Sequence, residues 1–164
     1  MYDFKDKVLL LTGAAGGIGG CIARQFYDAG ANLVLGDIDP VALERFAREL
    51  SPTLDRITLV EVNSAERSSV DQFVQSAIDA FGTIDFVVPS AGIYPEQLLE
   101  DITDEKWRLV MSINLDGVFY LLRACIPHLT AGAAIINIAS VSGHRGSHSH
   151  AHYAATKAAV ISLT

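Results

Sequence analysis

Five short apolar runs punctuate the chain, Val8–Leu11, Leu33–Leu35, Ile57–Val62, Ile84–Val88 and Ala134–Ile138, with little polar alternation inside them. That pattern predicts parallel strands covered on both faces, whose side chains meet apolar neighbours on either side. Between the runs the apolar period becomes helical. Ile18, Ile22, Phe26 and Ala29 share one stripe, and Gly30 follows as a stop. Asp39-Pro40 offers an N-cap and a proline at the first helical position, opening a helix that ends near Leu50. Val70, Phe73, Val74, Ala77, Ile78 and Phe81 form a second stripe that closes at Gly82. A longer helix is predicted from Thr103-Asp104 to about Leu129, with Pro127 near its frayed end. From Tyr153 to Thr164 the pattern is again helical, and no Gly, Asn or Pro follows it. Strands alternating with long helical crossovers predict a doubly wound α/β sheet with right-handed connections. No repeat, linker or low-complexity stretch divides residues 1–164, so one domain is expected.

Composition narrows this picture only a little. Half of the 164 residues are hydrophobic and 19% are charged, the profile of a globule with a real core. A net charge of −7 argues against nucleic acid or an anionic membrane as the main partner. Cys21 and Cys125 each sit in an apolar, helix-like stretch. Two buried thiols would fit a reducing compartment better than a disulfide framework. The first apolar run is far too short for a signal core or for a membrane span of about 20 residues, so the cytoplasm is the expected location.

The first candidate chemistry is the turn Thr12-Gly13-Ala14-Ala15-Gly16-Gly17-Ile18-Gly19, which leaves the first strand and enters a helix. A dinucleotide pyrophosphate needs backbone N–H groups and the positive end of a helix dipole, and side chains would block that approach. Glycine is therefore expected where the chain turns and where it passes the phosphates. Asp37 follows at the end of the second strand in LVLGDID. A carboxylate there accepts ribose hydroxyls and repels a 2′-phosphate, and no basic residue flanks it, which points to NAD. The competing role for Asp37 is to cap the next turn, for which Asp39 is the rival.

Tyr153 and Lys157 stand at i and i+4 on the last predicted helix and so project from one face. A tyrosine ordinarily titrates near 10, too high for a proton acceptor at neutral pH. An ammonium one helical turn away favours the phenolate, and it can also reach a cofactor ribose. Ser140 stands upstream at the end of the fifth strand, on the side where ligands bind in open α/β sheets. Its hydroxyl is placed to bond a substrate oxygen beside Tyr153. The alternative of a serine that merely begins a turn suits Ser142 better.

Taken together, these motifs resemble the short-chain dehydrogenase/reductase family over the whole chain. The TGxxxGxG turn (Thr12 to Gly19), the mid-helix asparagine Asn114 in MSINLDGVF, the strand-end Ser140 and the YxxxK pair Tyr153 and Lys157 occur in the family's order. The resemblance implies a Rossmann-type parallel sheet in the order 3-2-1-4-5, with the family's C-terminal strands missing. It implies that Tyr153 is the acid/base, that Ser140 orients the carbonyl, and that Asn114 holds a water in a proton relay from Lys157. The implied NAD contacts are Gly13, Gly16, Gly17, Ile18, Gly19, Asp37, Ile38, Asn63, Ser64, Ala91 and Gly92, with Tyr153 and Lys157.

Two departures stand out. Pro89-Ser90-Ala91-Gly92 replaces the family's usual NNAG, and Asn63 stands where an aspartate usually meets the adenine amino group. The shortness of the chain relative to the family implies that most of the last helix and the substrate cap lie outside it. Residues 1–164 alone are then expected to be poorly active, and the helix pair used for dimers and tetramers to be incomplete.

His144, His148, His150 and His152 crowd the loop before Tyr153. They admit three readings: a metal site, a solvated loop, or polarity lining a substrate pocket. No Cys or carboxylate joins them, and Tyr-Lys chemistry needs no metal. The expected reaction is transfer of a hydride between NAD and a secondary alcohol or its ketone, such as a sugar or polyol. A 3-oxoacyl thioester reductase is the rival within the family, and a non-catalytic nucleotide-binding protein is the rival outside it.

Overall fold

Alternation along the first strand sets the architecture. In β1 (Val8–Thr12), Val8 and Leu10 enter one apolar cluster while Leu9 and Leu11 enter another, because successive strand residues point to opposite faces. The computed structural model describes residues 2–164 and centres β1 in a five-stranded sheet. Its neighbours are β2 (Asn32–Asp37), β3 (Ile57–Glu61), β4 (Ile84–Pro89) and β5 (Leu129–Ile135). The order is β3-β2-β1-β4-β5 and every pairing is parallel, as the resemblance implied.

Helices cover both faces. α1 (Gly17–Asp28) and α2 (Pro40–Leu50) bring Ala23, Leu43 and Ala47 to the face holding Leu9 and Leu11. α3 (Arg67–Phe81) brings Val70, Phe73, Val74 and Ala77 to the other. Phe73 is fully buried there, worth on the order of 2–3 kcal/mol in water exclusion. α4 (Asp104–Met111) and α5 (Gly117–Cys125) continue this second layer, which α7 (Ala151–Leu163) joins through Val160. A short helix, α6 (Ser142–Arg145), precedes α7.

The helix limits follow local chemistry. Asp39 accepts from the Val41 and Ala42 amides at 3.1 and 3.0 Å, and Pro40 opens α2. Gly82 ends α3 in the left-handed region at φ 73°. Thr103 caps α4 through the Lys106 amide.

Three expectations are corrected. The fifth strand runs Leu129–Ile135 rather than Ala134–Ile138. Its register jumps from Ile84–Leu129 to Phe86–Ala134, so Thr130, Ala131 and Gly132 bulge outward and are exposed. The Ile138 carbonyl then leaves the ladder and accepts from Lys157. Secondly, the long helix is not uniform, because a π-helical turn, Ser112–Asp116, separates α4 from α5. Thirdly, Cys21 is exposed on α1, and only Cys125 is buried, where burial pushes its thiol up to about 12. The rod Asp104–His128 is long and apolar enough to cross a membrane. Its Val118, Leu121, Leu122 and Cys125 are instead spent on the core.

Candidate active site

The turn after β1 is built by close backbone approach. Gly13 sits at φ 68°, and a Cβ on it would lie 2.8 Å from the Ala91 backbone. Thr12 Oγ1 accepts the Ala91 amide at 3.2 Å, so the loop after β4 is locked onto this turn without the family's asparagine pair. A Cβ on Gly19 would run into the Gly13 carbonyl. At Gly17, by contrast, a Cβ would meet nothing within 4 Å. α1 also starts without a side-chain cap or an acidic residue in its first turn, which leaves its leading amides for an anion.

Beside the turn lies a cleft of about 420 Å³. Of the residues expected at the cofactor, Gly13, Gly16, Asp37, Ile38, Asn63, Ser64, Ala91 and Gly92 line it. Gly17, Ile18 and Gly19 stand in the first turn of α1 outside that lining, with Ile18 exposed, and Tyr153 and Lys157 on α7 lie outside it as well. Ala15, Asp39, Ala42, Val62, Ser90, Ile93 and Ile113 also line it and were not singled out; each is a sequence neighbour of a chosen residue or, for Ala42 and Ile113, arrives with a helix. No lysine or arginine is among the lining residues.

Asp37 is engaged by two backbone amides. Its Oδ2 accepts the Ala15 amide at 2.9 Å and its Oδ1 the Asp39 amide at 3.2 Å, tying the glycine turn to β2. Capping of α2 falls to Asp39, and each Asp37 oxygen keeps a lone pair for a further donor. Asn63 is more fully committed. Its Oδ1 accepts the Ala65 amide at 3.1 Å and its Nδ2 donates to Glu66 at 2.9 Å, an Asx turn leading into α3.

Asn114 lies in the π-helical turn and is fully buried, a segment type frequent at functional sites. Its Oδ1 accepts from the Ile93 amide and its Nδ2 donates to the Ile93 carbonyl, both at 2.9 Å. A Cβ on Gly92 would lie 3.3 Å from that Oδ1. Asn114 thus fixes the loop that follows Gly92.

Tyr153 and Lys157 come together on α7 as predicted, with Lys157 Nζ 5.7 Å from the Tyr153 ring centroid. Lys157 is buried and donates to the Ile138 carbonyl at 2.7 Å. Burial lowers its pKa from the ordinary lysine value. Ser140 corrects the turn assignment: its Oγ, rather than that of Ser142, begins the turn, accepting the Ser142 amide at 3.2 Å. The Ser140 hydroxyl proton stays free to donate. Its carbonyl accepts the Gly143 amide, and a Cβ on Gly143 would lie 2.8 Å from the backbone of Lys157 and Ala158. The serine is linked to the Tyr-Lys helix through that glycine contact.

The histidines diverge. His144 and His148 are exposed, and His150 stacks on Tyr94 with centroids 3.9 Å apart. His152 is fully buried with both ring nitrogens unpartnered among the described residues. No three His, Cys, Asp or Glu side chains converge as metal ligands among the described residues. Tyr94 itself carried no sequence signal, yet its ring meets that of Tyr153 edge-on at 4.5 Å.

The same fold recurs among known proteins. The family description "short chain dehydrogenase" matches residues 7–164. A 3-oxoacyl-[acyl-carrier-protein] reductase of Thermotoga maritima is 33% identical over 98% of this chain and 66% of its own length. A short-chain dehydrogenase/reductase structure described as glucose/ribitol dehydrogenase, from Brucella melitensis, superposes with a TM-score of 0.96 at 42% identity, covering 99% of this chain and 68% of that one. A 3-ketoacyl-(acyl-carrier-protein) reductase from the same organism, complexed with NADH, gives a TM-score of 0.92 at 32% identity, covering 99% and 69%. The chain spans about two thirds of the length of these proteins.

Proposed function

The chain belongs to the short-chain dehydrogenase family, and from that premise we propose that it is an NAD-dependent oxidoreductase acting on a secondary alcohol or its ketone. The observation that carries the reading is the buried Lys157 ammonium, fixed by the Ile138 carbonyl and held beside the Tyr153 ring. Lys157 stands one helical turn from the phenol on the same face of α7, where a group that passes protons to or from that phenol must lie. Tyr153 takes the alcohol's hydroxyl proton in oxidation and returns it to the carbonyl oxygen in reduction. Ser140, its Oγ already accepting one amide, donates its own proton to the same substrate oxygen. Asn114 is assigned the water that passes protons from Lys157 outward.

The residues present fit a dinucleotide. The bare face of Gly17 and the uncapped start of α1 suit a pyrophosphate. Asp37 and Asp39 on the cleft wall, with no cation among the lining residues, disfavour a 2′-phosphate and hence NADP. When bound, the nicotinamide accepts or supplies the hydride. Lys157 would also bond the nicotinamide ribose.

For the substrate we favour a sugar, polyol or similar secondary alcohol, in keeping with the glucose/ribitol description of the 42%-identical structure. A 3-oxoacyl thioester is the second reading, favoured by the two acyl-carrier-protein reductases. Because one of them binds NADH, the cofactor does not separate the two. Assay of polyols and sugars against an acetoacetyl thioester, each with NAD(H) and NADP(H), decides. Preference for NAD with polyols supports the favoured reading, and faster turnover of the thioester rejects it. NAD binding without turnover on any of these would favour a non-catalytic nucleotide-binding protein. Leu109, Phe119, Ile126 and Leu163 are exposed on the helical layer and suit a second copy of the chain; dimer or tetramer mass in solution tests that.

A further inference from the structure

Tyr94 and His150 lie outside the cofactor cleft, and nothing in the chemistry above uses them. Their rings are parallel within 3°, with centroids 3.9 Å apart, and Tyr94 meets Tyr153 at 77° with centroids 4.5 Å apart. The stack is anchored from three sides. Asn114 holds both main-chain groups of Ile93, immediately before Tyr94. The Gln97 amide donates to the Ser149 carbonyl at 2.6 Å, which pins the Tyr94 loop to the histidine loop. Ser147 Oγ lies 3.1 Å from His150 Nδ1, which fixes the imidazole plane. A tyrosine that is 56% exposed would ordinarily sample several rotamers. Here it is clamped between an oriented imidazole and the phenol that does the chemistry.

We propose that Tyr94 is a positioning residue for Tyr153, and that His150 acts through it by clamping its ring. The inference rests on the reading of Tyr153 as the acid/base. A phenol on a single helix can swing about χ1 and χ2, and proton transfer requires its oxygen within hydrogen-bond reach of the substrate. Lys157 Nζ stands 5.7 Å from its ring centroid. The edge-on ring of Tyr94 packs against it at 4.5 Å, so that removing it spreads the phenol over unproductive rotamers.

The test is a double-mutant cycle on the protein, with kcat and KM for its best alcohol, NAD affinity and Tm measured for each variant. Tyr94→Leu is expected to lower kcat roughly five- to tenfold with KM little changed, as the loss of one edge-to-face aromatic pair implies. Neither residue is among the assigned NAD contacts, so NAD affinity should hold. Tyr94→Phe, which keeps the ring, should restore kcat. His150→Ala should lower kcat, His150→Phe should preserve it, and adding His150→Ala to Tyr94→Leu should cost nothing further.

Unchanged kcat in Tyr94→Leu overturns the proposal. So does a rise in KM alone, which would make the stack a substrate contact. Additive losses from Tyr94 and His150 overturn the clamp, and a Tyr94→Phe variant as slow as Tyr94→Leu overturns the role of the ring. Tyr153→Phe in the same series separates the two levels. If it retains turnover, the acid/base assignment has failed; if it is inactive while Tyr94→Leu is as fast as wild type, only the present inference has.

Discussion

At the scale of single residues, Asp39 holds the start of α2 through the Val41 and Ala42 amides, and Gly82 ends α3 in the left-handed region. Asp39-Pro40 and Gly82 act where propensity placed them, since a cap needs only the next few amides. Side-chain partnerships across the fold were not legible. Nothing local tells that His150 finds Tyr94 or that Asn114 finds Ile93, because those contacts depend on how distant segments meet. His152 gives a residue-scale prediction. Burial first, then the nearby charges of His150 and Lys106, lower its pKa below the ordinary 6.5. The unfolded chain therefore binds a proton that the folded one refuses as pH falls below about 6.5, and stability drops from there. His152→Phe, which removes two orphaned nitrogens and keeps a ring of similar size, should flatten that acid-side fall in denaturant melts. A variant with the same pH slope as wild type would refute it.

At the scale of elements, the strands and helices were legible from apolar periodicity, and their irregularities were not. The bulge in β5 and the π-helical turn at Ser112–Asp116 insert residues without changing the hydrophobic pattern that advertises an element. The glycines show which contacts impose such detail. Gly143 lets α6 rest on the α7 backbone, where a Cβ would lie 2.8 Å from Lys157 and Ala158. Gly143→Val should therefore cost about 1–3 kcal/mol of stability, as overpacking generally does, and lower kcat by shifting Lys157. Chemical denaturation and steady-state kinetics check both. Gly17→Ala is the contrasting case. Its Cβ meets no protein atom, so Tm should hold or rise while NAD affinity falls in a calorimetric titration. Unchanged affinity would remove Gly17 from the phosphate site.

At the scale of the whole molecule, β1 is apolar on both faces and lies at the centre of the sheet, covered by an apolar layer on each side. That placement brings the glycine turn at the end of β1 and Asp37 at the end of β2 to one cleft, and puts the Tyr-Lys helix after β5. Tyr153 is proposed as the acid/base of a hydride transfer to NAD. The most direct measurement follows the label from a secondary alcohol deuterated at the carbinol carbon into NAD, in wild type and Tyr153→Phe, alongside NAD affinity. Label should reach NAD in the wild type and fall by orders of magnitude in the variant, with affinity retained. Equal transfer by both proteins would contradict the account.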